Sequence, residues 1–293
     1  MHQSNAAERV TIVTVAYNSS AVLADMLASV PAQTPVVIFD NASQDRPKLR
    51  ELVAARENKT QLIESDRNLG FGTGCNKGAE AAETEFLLFL NPDTALFPDT
   101  LQNLVLAADR RPDISAFNPR ILNDDGTSIL KRRSDLVPRG AWVPRGELTQ
   151  DTILPVLSGA AFFVRRADFN AVGGFDTKIF LFFEDDDLSV RLSAARGNLM
   201  YVHDAKVSHI GGASSGWSPK SEKLKNWHWG FSQIYTARKH GMRLACLGAV
   251  LKTGIRALSP ATLLSSKRRL KYAARLRGMA GALRWGGARR IRT

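Results

Sequence analysis

The chain has 293 residues, 44% of them hydrophobic, enough for one large domain with its own core. Its two cysteines, Cys75 and Cys246, match no metal or redox spacing, so the sequence excludes a disulfide framework and points to a reducing, cytoplasmic compartment. The net charge of +12 is unevenly divided: from residue 205 onward 19 Lys and Arg face one acid, Glu222, leaving about +18 there and about −6 over residues 1–204.

The N-terminal stretch MHQSNAAERV contains no apolar run, so no signal peptide is expected. VTIVTVAYN (10–18) is a β-branched run that ends in polar residues and reads as a buried parallel strand. Residues 19–29 read as a helix with Val22, Leu23, Met26 and Leu27 on one face. PVVIFDN (35–41) is a second strand, followed by the loop DNASQD (40–45) and a helix over 47–57. QLIES (61–65) is a third strand, and NLGFGTGCNKGAEAA (68–82) is a Gly-rich loop running into a helix. EFLLFLNPD (85–93) is a fourth strand, again with a polar end.

Strands alternating with helices predict an α/β fold with a doubly wound, mostly parallel sheet. Ligands in such sheets bind outside the carboxyl ends of the strands, where 16–18, 40–45 and 91–93 all fall. The polar segment 118–152, rich in Pro and Arg, reads as irregular. PVLSGAAFFVRR (155–166) returns as a strand, a helix is expected over 184–196, and YVHDAKVSH (201–209) is strand-like. LACLGAVL (244–251) is too short to cross a bilayer, which needs about 20 residues. Residues 252–293 carry many cations and no acid.

Taken one at a time, the polar clusters allow two readings each. The Gly-rich segment 67–78 does not follow the first strand, as a dinucleotide fingerprint would. Its glycines serve either tight turns and close helix packing or a backbone lying near a nucleotide. Asp40 either accepts from a pyrimidine N3–H or ribose hydroxyls, or shapes its loop as an Asx-turn. Asp93 either holds a divalent cation on phosphate oxygens or terminates a turn. His209 is either a metal ligand or a structural side chain. Glu184, Asp185, Asp186 and Asp187 stand together behind the apolar run Phe180–Phe183, where unpaired burial would be expensive. As a plain helix N-terminus they would suit the helix dipole, with Asp187 four residues before Arg191.

The ordered set TIVTVAYN, DNASQD, NLGFGTGCNKG, FLLFLNPDT, GAAFFVRR, GGFDTKIFLFFEDDDLSVRLSAARG and HIGG resembles the family 2 glycosyltransferases, and within them the bacterial rhamnosyltransferase-like branch. The match spans about residues 9–240. The resemblance implies a GT-A fold, a nucleotide-sugar donor, a Mg²⁺ or Mn²⁺ ion and inversion at the anomeric carbon. It divides the chain into a nucleotide-sugar half (9–117) and an acceptor half (118–240), followed by a basic amphipathic extension (241–293).

By position, Tyr17, Asn18, Asp40 and Asn41 would line the nucleotide pocket, and Gly70, Gly74 and Asn76 would lie close to nucleotide or sugar. Asp93 matches the last acid of the family's Asp-x-Asp metal motif, and His209 a downstream His of the metal and diphosphate site. Asn91 stands where that motif has Asp, so the site has one charge fewer. Asp185 would be the general base, with Glu184 and Asp187 the second choices for that catalytic role, otherwise placed to contact donor or acceptor hydroxyls. Asp186 is expected to point to solvent. Phe180–Phe183 would form part of the core and a wall against water, and Gly173–Gly174 a close turn facing the sugar.

The donor favoured by the branch is dTDP-L-rhamnose, and the acceptor a growing cell-surface polysaccharide or a lipid-linked saccharide. Galactofuranose or a hexosamine from a UDP donor is the alternative, and a catalytically silent nucleotide-sugar binder is the rival from another class. The cations and apolar residues of 267–285 suit an anionic membrane surface, which places the protein at the inner face of the cytoplasmic membrane. Nucleic acid is disfavoured because no recognition motif accompanies the charge. Nothing in the sequence specifies an oligomeric state.

Overall fold

The computed structural model describes residues 5–56, 59–209 and 218–285. The first half alternates as its sequence pattern requires: β1 Val10–Ala16, α1 Ser20–Ser29, β2 Val36–Asn41, α2 Arg46–Ala54, β3 Thr60–Ser65, α3 Phe71–Glu80 and β4 Phe86–Leu90. β1 is buried along its whole length because both its faces are covered. Ile12 and Ala16 pack with Leu23 and Met26 of α1, while Val13 and Val15 on the opposite face pack with Cys75 and Ala79 of α3. The period-2 alternation of a strand thus feeds two separate cores. Both cysteines are buried and free.

β5 Thr94–Leu96, α4 Thr100–Arg110, β6 Ile114–Leu122 and β7 Ser128–Ile129 follow. The chain then continues through β8 Thr152–Leu154, β9 Ala161–Arg165, α5 Arg166–Ala171, α6 Glu184–Ala195 and β10 Asn198–His209. The ten strands form one sheet with a main order of β3-β2-β1-β4-β9-β6-β10-β5, β7 pairing with β6 and β8 with β10. β1, β2, β3 and β4 are mutually parallel, and so are β6 and β10. β9 is antiparallel to both β4 and β6, so those two strands point the same way.

Three sequence expectations change. The predicted strand 155–166 is a strand only over β9, because 155–160 bends to meet the site described below. The predicted irregular segment 118–152 begins as the second half of β6 and adds the short β7 and β8. Residues 97–117, to which the pattern assigns nothing, form α4 and the start of β6. Ile210–Gly212 of the HIGG motif and the tail beyond 285 lie outside the described residues.

The C-terminal part is helical: α7 Pro219–Lys239, α8 Arg243–Ala257, α9 Pro260–Leu263 and α10 Ser266–Arg284. α7 opens with a capping box in which Ser218 and Ser221 exchange side-chain and backbone bonds. A third core joins Ile234 and Tyr235 of α7, Cys246 of α8, and Met279 and Ala282 of α10 with Leu136 and Ile179 of the α/β part. α10 lies directly on α7. A Cβ on Gly278 would stand 2.0 Å from the Trp227 carbonyl oxygen, and one on Gly230 would stand 2.1 Å from that of Arg275. α8 and α10 therefore share their core with α7.

Candidate active site

The loops after β1 and β2 are stitched into one rim. The Asn18 amide donates to Ser43 Oγ at 3.0 Å, and the Gln44 amide donates to Asn18 Oδ1 at 2.7 Å. The Ser20 amide at the start of α1 donates to Asp45 at 2.9 Å. Asn18 takes a positive φ of 52°, a conformation Asn tolerates better than most residues. Tyr17 projects from this rim with an exposed ring.

Asp40 lies beneath the rim with no exposed surface. The Ser43 amide donates to its Oδ1 at 2.9 Å, and Arg46 donates to its Oδ2 at 2.5 Å while also reaching the Ser65 carbonyl. Asn41 spends its side chain on the next loop: its Oδ1 accepts from the Leu69 amide at 2.7 Å, and its Nδ2 donates to the Gly70 carbonyl at 3.2 Å.

The predicted glycines pack. A Cβ on Gly74 would meet Val15 and Phe39 at 2.9 Å, so Gly74 seats α3 on the sheet. Gly70 has φ +86°, and a Cβ there would stand 2.4 Å from the Phe180 carbonyl oxygen. The Phe71 amide donates to that same oxygen at 3.1 Å, which ties the Gly-rich loop to the aromatic run. The Asn76 side chain brackets Phe175, accepting from its amide at 2.8 Å and donating to its carbonyl at 2.9 Å. Gly174 leaves room for that bracket, since a Cβ there would stand 2.6 Å from Asn76 Oδ1.

The turn 158–160 joins two parts of the site. On one side Ala160 accepts from the Asn91 amide at 2.9 Å, and on the other the Gly159 amide donates to Asp185 Oδ2 at 2.9 Å. The buried Asn118 of β6 fixes this turn, accepting from the Ser158 amide at 2.6 Å and donating to the Ala161 carbonyl at 2.5 Å. Two residues past Asn91, the buried Asp93 meets His209, because antiparallel pairing of β5 with β10 sets Thr94 opposite His209. Asp93 Oδ1 and His209 Nε2 are 3.5 Å apart, and the buried Nδ1 of His209 has no partner among the described residues. Two ligands of one octahedral Mg²⁺ or Mn²⁺ ion would stand about 3 Å apart, so this pair fits as part of a cation site. No group of three or more His, Cys, Asp or Glu that could hold a metal ion is assembled among the described residues, so the side chains here supply only part of a coordination shell.

The four acids of α6 have four different environments. Phe182 and Phe183, both with φ 68°, deliver them in consecutive left-handed conformations that are strained for bulky residues. Ser232 of α7 donates to the Leu181 carbonyl at 2.9 Å, His228 stacks on Phe180 at 4.3 Å, and the half-buried aromatic run is thereby held between α3 and α7. Glu184 is buried with Oε2 unpartnered; burial, and then the Asp185 charge, push its carboxyl up to about 8. Asp185, the most exposed of the four, accepts from Gly159 and from Lys131 Nζ at 2.8 Å through Oδ2, and its Oδ1 accepts from the Asp186 amide at 2.9 Å.

Asp186 corrects the sequence expectation: it is buried, and Lys131 Nζ sits 2.6 Å from its Oδ2. Burial and then Asp185 push its carboxyl up, while Lys131 opposes. Burial also works against the Lys131 ammonium, but Asp185 and Asp186 overcome it and hold Lys131 above its ordinary range. Asp187 is fully buried and has no surface to offer a sugar. It pairs with Arg191 at 2.8 Å, Lys239 at 2.7 Å and His240 at 2.8 Å. Burial raises its carboxyl, but His240, Arg191 and Lys239 outweigh that and hold it at about 2.

Asp185 and Glu184 line a cleft of about 510 Å³ whose other walls include Lys131, Trp142, Trp229 and Lys252. These four, with Arg46 and Asn118, are the residues that sequence reasoning passed over. Lys131 and Trp142 lie in the unpatterned 118–152, and Trp229 and Lys252 come from helices whose sequence gives no sign of facing the acids.

Glu184 has a consequence for stability. Its carboxyl titrates near 4.3 in an unfolded chain and at about 8 in the fold, so the folded state holds the extra proton between those values. Its contribution to stability falls as pH rises from about 4.5 to 8. Glu184→Gln is expected to raise the melting temperature more at pH 8 than at pH 5. Equal shifts at both pH values in a melting series would contradict this reading.

A curled sheet with helices on both faces, polar loops at the strand C-termini and an acidic cleft beyond them defines a GT-A glycosyltransferase. The description of glycosyl transferase family 2 matches residues 11–173, and the chain belongs to that family. It is 30% identical to an N-acetylglucosaminyl-diphospho-decaprenol L-rhamnosyltransferase of Mycobacterium tuberculosis, over 78% of this chain and 84% of that one. It is 29% identical to the rhamnosyltransferase WbbL of Escherichia coli, over 54% and 64% of the two chains. The fold is similar to that of the mannosyltransferase PcManGT from Pyrobaculum calidifontis, solved with GDP-Man and Mn²⁺ (TM-score 0.57, 16% identity, 94% of this chain and 87% of that one). It is also similar to residues 1–349 of TarS from S. aureus (TM-score 0.55, 15% identity, 93% and 90%).

Proposed function

We propose that this glycosyltransferase moves L-rhamnose from dTDP-L-rhamnose, with inversion, to a saccharide carried on a lipid diphosphate or a growing cell-surface polysaccharide. The observation that carries the reading is Asp185. Of the four acids it has the most open carboxylate, and the Gly159 turn that bonds it also holds the Asn91–Asp93 loop. The two relatives named as rhamnosyltransferases support the sugar.

In this mechanism Asp185 accepts the proton of an acceptor hydroxyl as that oxygen attacks the anomeric carbon. The bond from that carbon to the diphosphate oxygen breaks, and the diphosphate leaves with the electron pair. Lys131 and the Gly159 amide orient the carboxylate through Oδ2, and Oδ1, which accepts from the Asp186 amide, keeps a second lone pair for the hydroxyl. Glu184, protonated at neutral pH, adds no second charge there and can donate to a sugar hydroxyl. The aromatic walls keep water from competing as acceptor. On the donor side Tyr17 offers an exposed ring for the base. Asn18, Asp40 and Asn41 give the surrounding loops their shape, and Gly70, Gly74 and Asn76 fix α3 beneath them.

A divalent cation, Mg²⁺ or Mn²⁺, would be held by Asp93 and His209, with Asn91 beside it. Bound there, it would neutralise charge on the leaving diphosphate. Asp93→Ala is expected to abolish the extra thermal stabilisation that Mn²⁺ adds to dTDP while sparing the fold. A thermal-shift panel of dTDP, UDP and their sugars, with and without metal, tests the whole reading. Stabilisation by dTDP that grows with metal supports it. A response to UDP alone would favour a galactofuranose or hexosamine donor, and no response to any nucleotide would sink the donor site.

A further inference from the structure

α8 has two unlike faces. Its inner side carries the buried Cys246 and Thr253, with the Cys246 thiol 3.9 Å from the Ile234 carbonyl of α7. On the outer side Leu244 is 86% exposed, Leu247 66%, Leu251 62%, Ile255 63% and the capping Leu258 75%. At 100° per residue these five lie within an arc of about 80°. Leu263 and the 88% exposed Leu264 extend the surface into the next turn.

Cations flank the stripe. Arg243 stands on one edge, Lys252 and Arg256 on the other, and the exposed Arg268 and Arg269 follow Leu264. From residue 223 to the end of the chain there is no acid. α10, part of the 267–285 segment to which the sequence assigned a membrane surface, turns Ala274, Gly278, Met279 and Ala282 inward on α7. No helix among the described residues is long and apolar enough to cross a membrane.

A continuous apolar face of this size on a folded protein marks an interaction surface. We propose that α8 is the docking element for an anionic lipid bilayer, lying in the interface plane with its leucine stripe among the acyl chains. The flanking Lys and Arg reach back to anionic headgroups. The charge selects this occupant over a second copy of the chain. Pairing two α8 faces would bring Arg243, Lys252 and Arg256 of both copies together, with no acid on these helices to offset them. Lys252 also lines the cleft, so docking α8 sets the cleft mouth beside the headgroups, where a lipid-linked acceptor presents its saccharide. This deepens the lipid-linked reading above, but the docking surface stands on its own geometry.

The test is flotation of the full-length chain with vesicles of phosphatidylcholine alone or mixed with phosphatidylglycerol. The expected result is binding to the anionic vesicles, weakened by NaCl, and a loss of at least about tenfold in Leu247→Glu/Leu251→Glu. Both positions are exposed, so the variant should keep the melting temperature and the nucleotide-induced shift of the wild type. Wild-type protein that fails to float, or a variant that floats equally well, would overturn the proposal. So would a wild-type dimer in sedimentation velocity that the variant converts to monomer without change in lipid binding. Nucleotide shifts absent from both proteins would count against the donor site and leave the flotation result standing.

Discussion

Asp185→Asn is expected to lower glycosyl transfer by about a thousandfold while leaving the thermal shift with donor nucleotide intact. The substitution keeps the shape of the side chain and an oxygen for the Gly159 amide, but removes the acceptor of the hydroxyl proton. The companion Glu184→Gln, which mimics the protonated state that the carboxyl already holds at neutral pH, should reduce transfer far less. The contrast separates a base from a mere acidic patch. If both variants retained full turnover, Asp185 would not be the base. If Asp185→Asn also lost nucleotide binding, its role would be to shape the site.

The largest effect on stability is expected from Asp187→Ala. Its carboxylate is the shared partner of Arg191, Lys239 and His240, and removing it leaves the half-buried Arg191 and His240 without it and Lys239 with Asp176 alone. Breaking such a network from one side costs about 3–5 kcal/mol, a large share of the stability of a typical domain. Because Lys239 and His240 stand at the end of α7, the loss should loosen α7 and the α8–α10 layer that packs on it. In wild type the carboxyl sits at about 2, below its unfolded value of about 4. Its contribution is therefore complete above about pH 4 and is lost as pH falls towards 2. Denaturant melts of wild type and variant at pH 7 and pH 3 would measure both statements. A variant within 1 kcal/mol of wild type at pH 7 would contradict them.

Much of this protein is written in its sequence, because the signals involved are local. A β-branched run such as VTIVTVA can form a strand buried on two faces, and polar clusters such as AYNSS and DNASQD mark where such strands end. The order of those loops, with NPD and the acidic run, carries the family and singles out Asp93, Asp185 and His209. The direction of β9 is not legible, since a strand buried on both faces has the same composition whether it runs parallel or antiparallel to its neighbours. α4 has helical periodicity but no chemistry to draw attention to it.

What the sequence determines by itself is therefore the α/β alternation, the two-part charge and the identity of the acids. What only the tertiary structure decides is the state and partner of each acid. Four neighbours in one helical turn diverge because burial and counterions come from distant segments: Lys131 reaches Asp185 and Asp186 from 55 residues away or nearly so, and His240 reaches Asp187 from 53. The same holds for the glycines of α3 and for Asp40, whose polar or backbone groups face protein atoms supplied by other elements. Charge and burial are properties of surroundings, and a chain read in one dimension lists the residues without the neighbours that set how each one behaves.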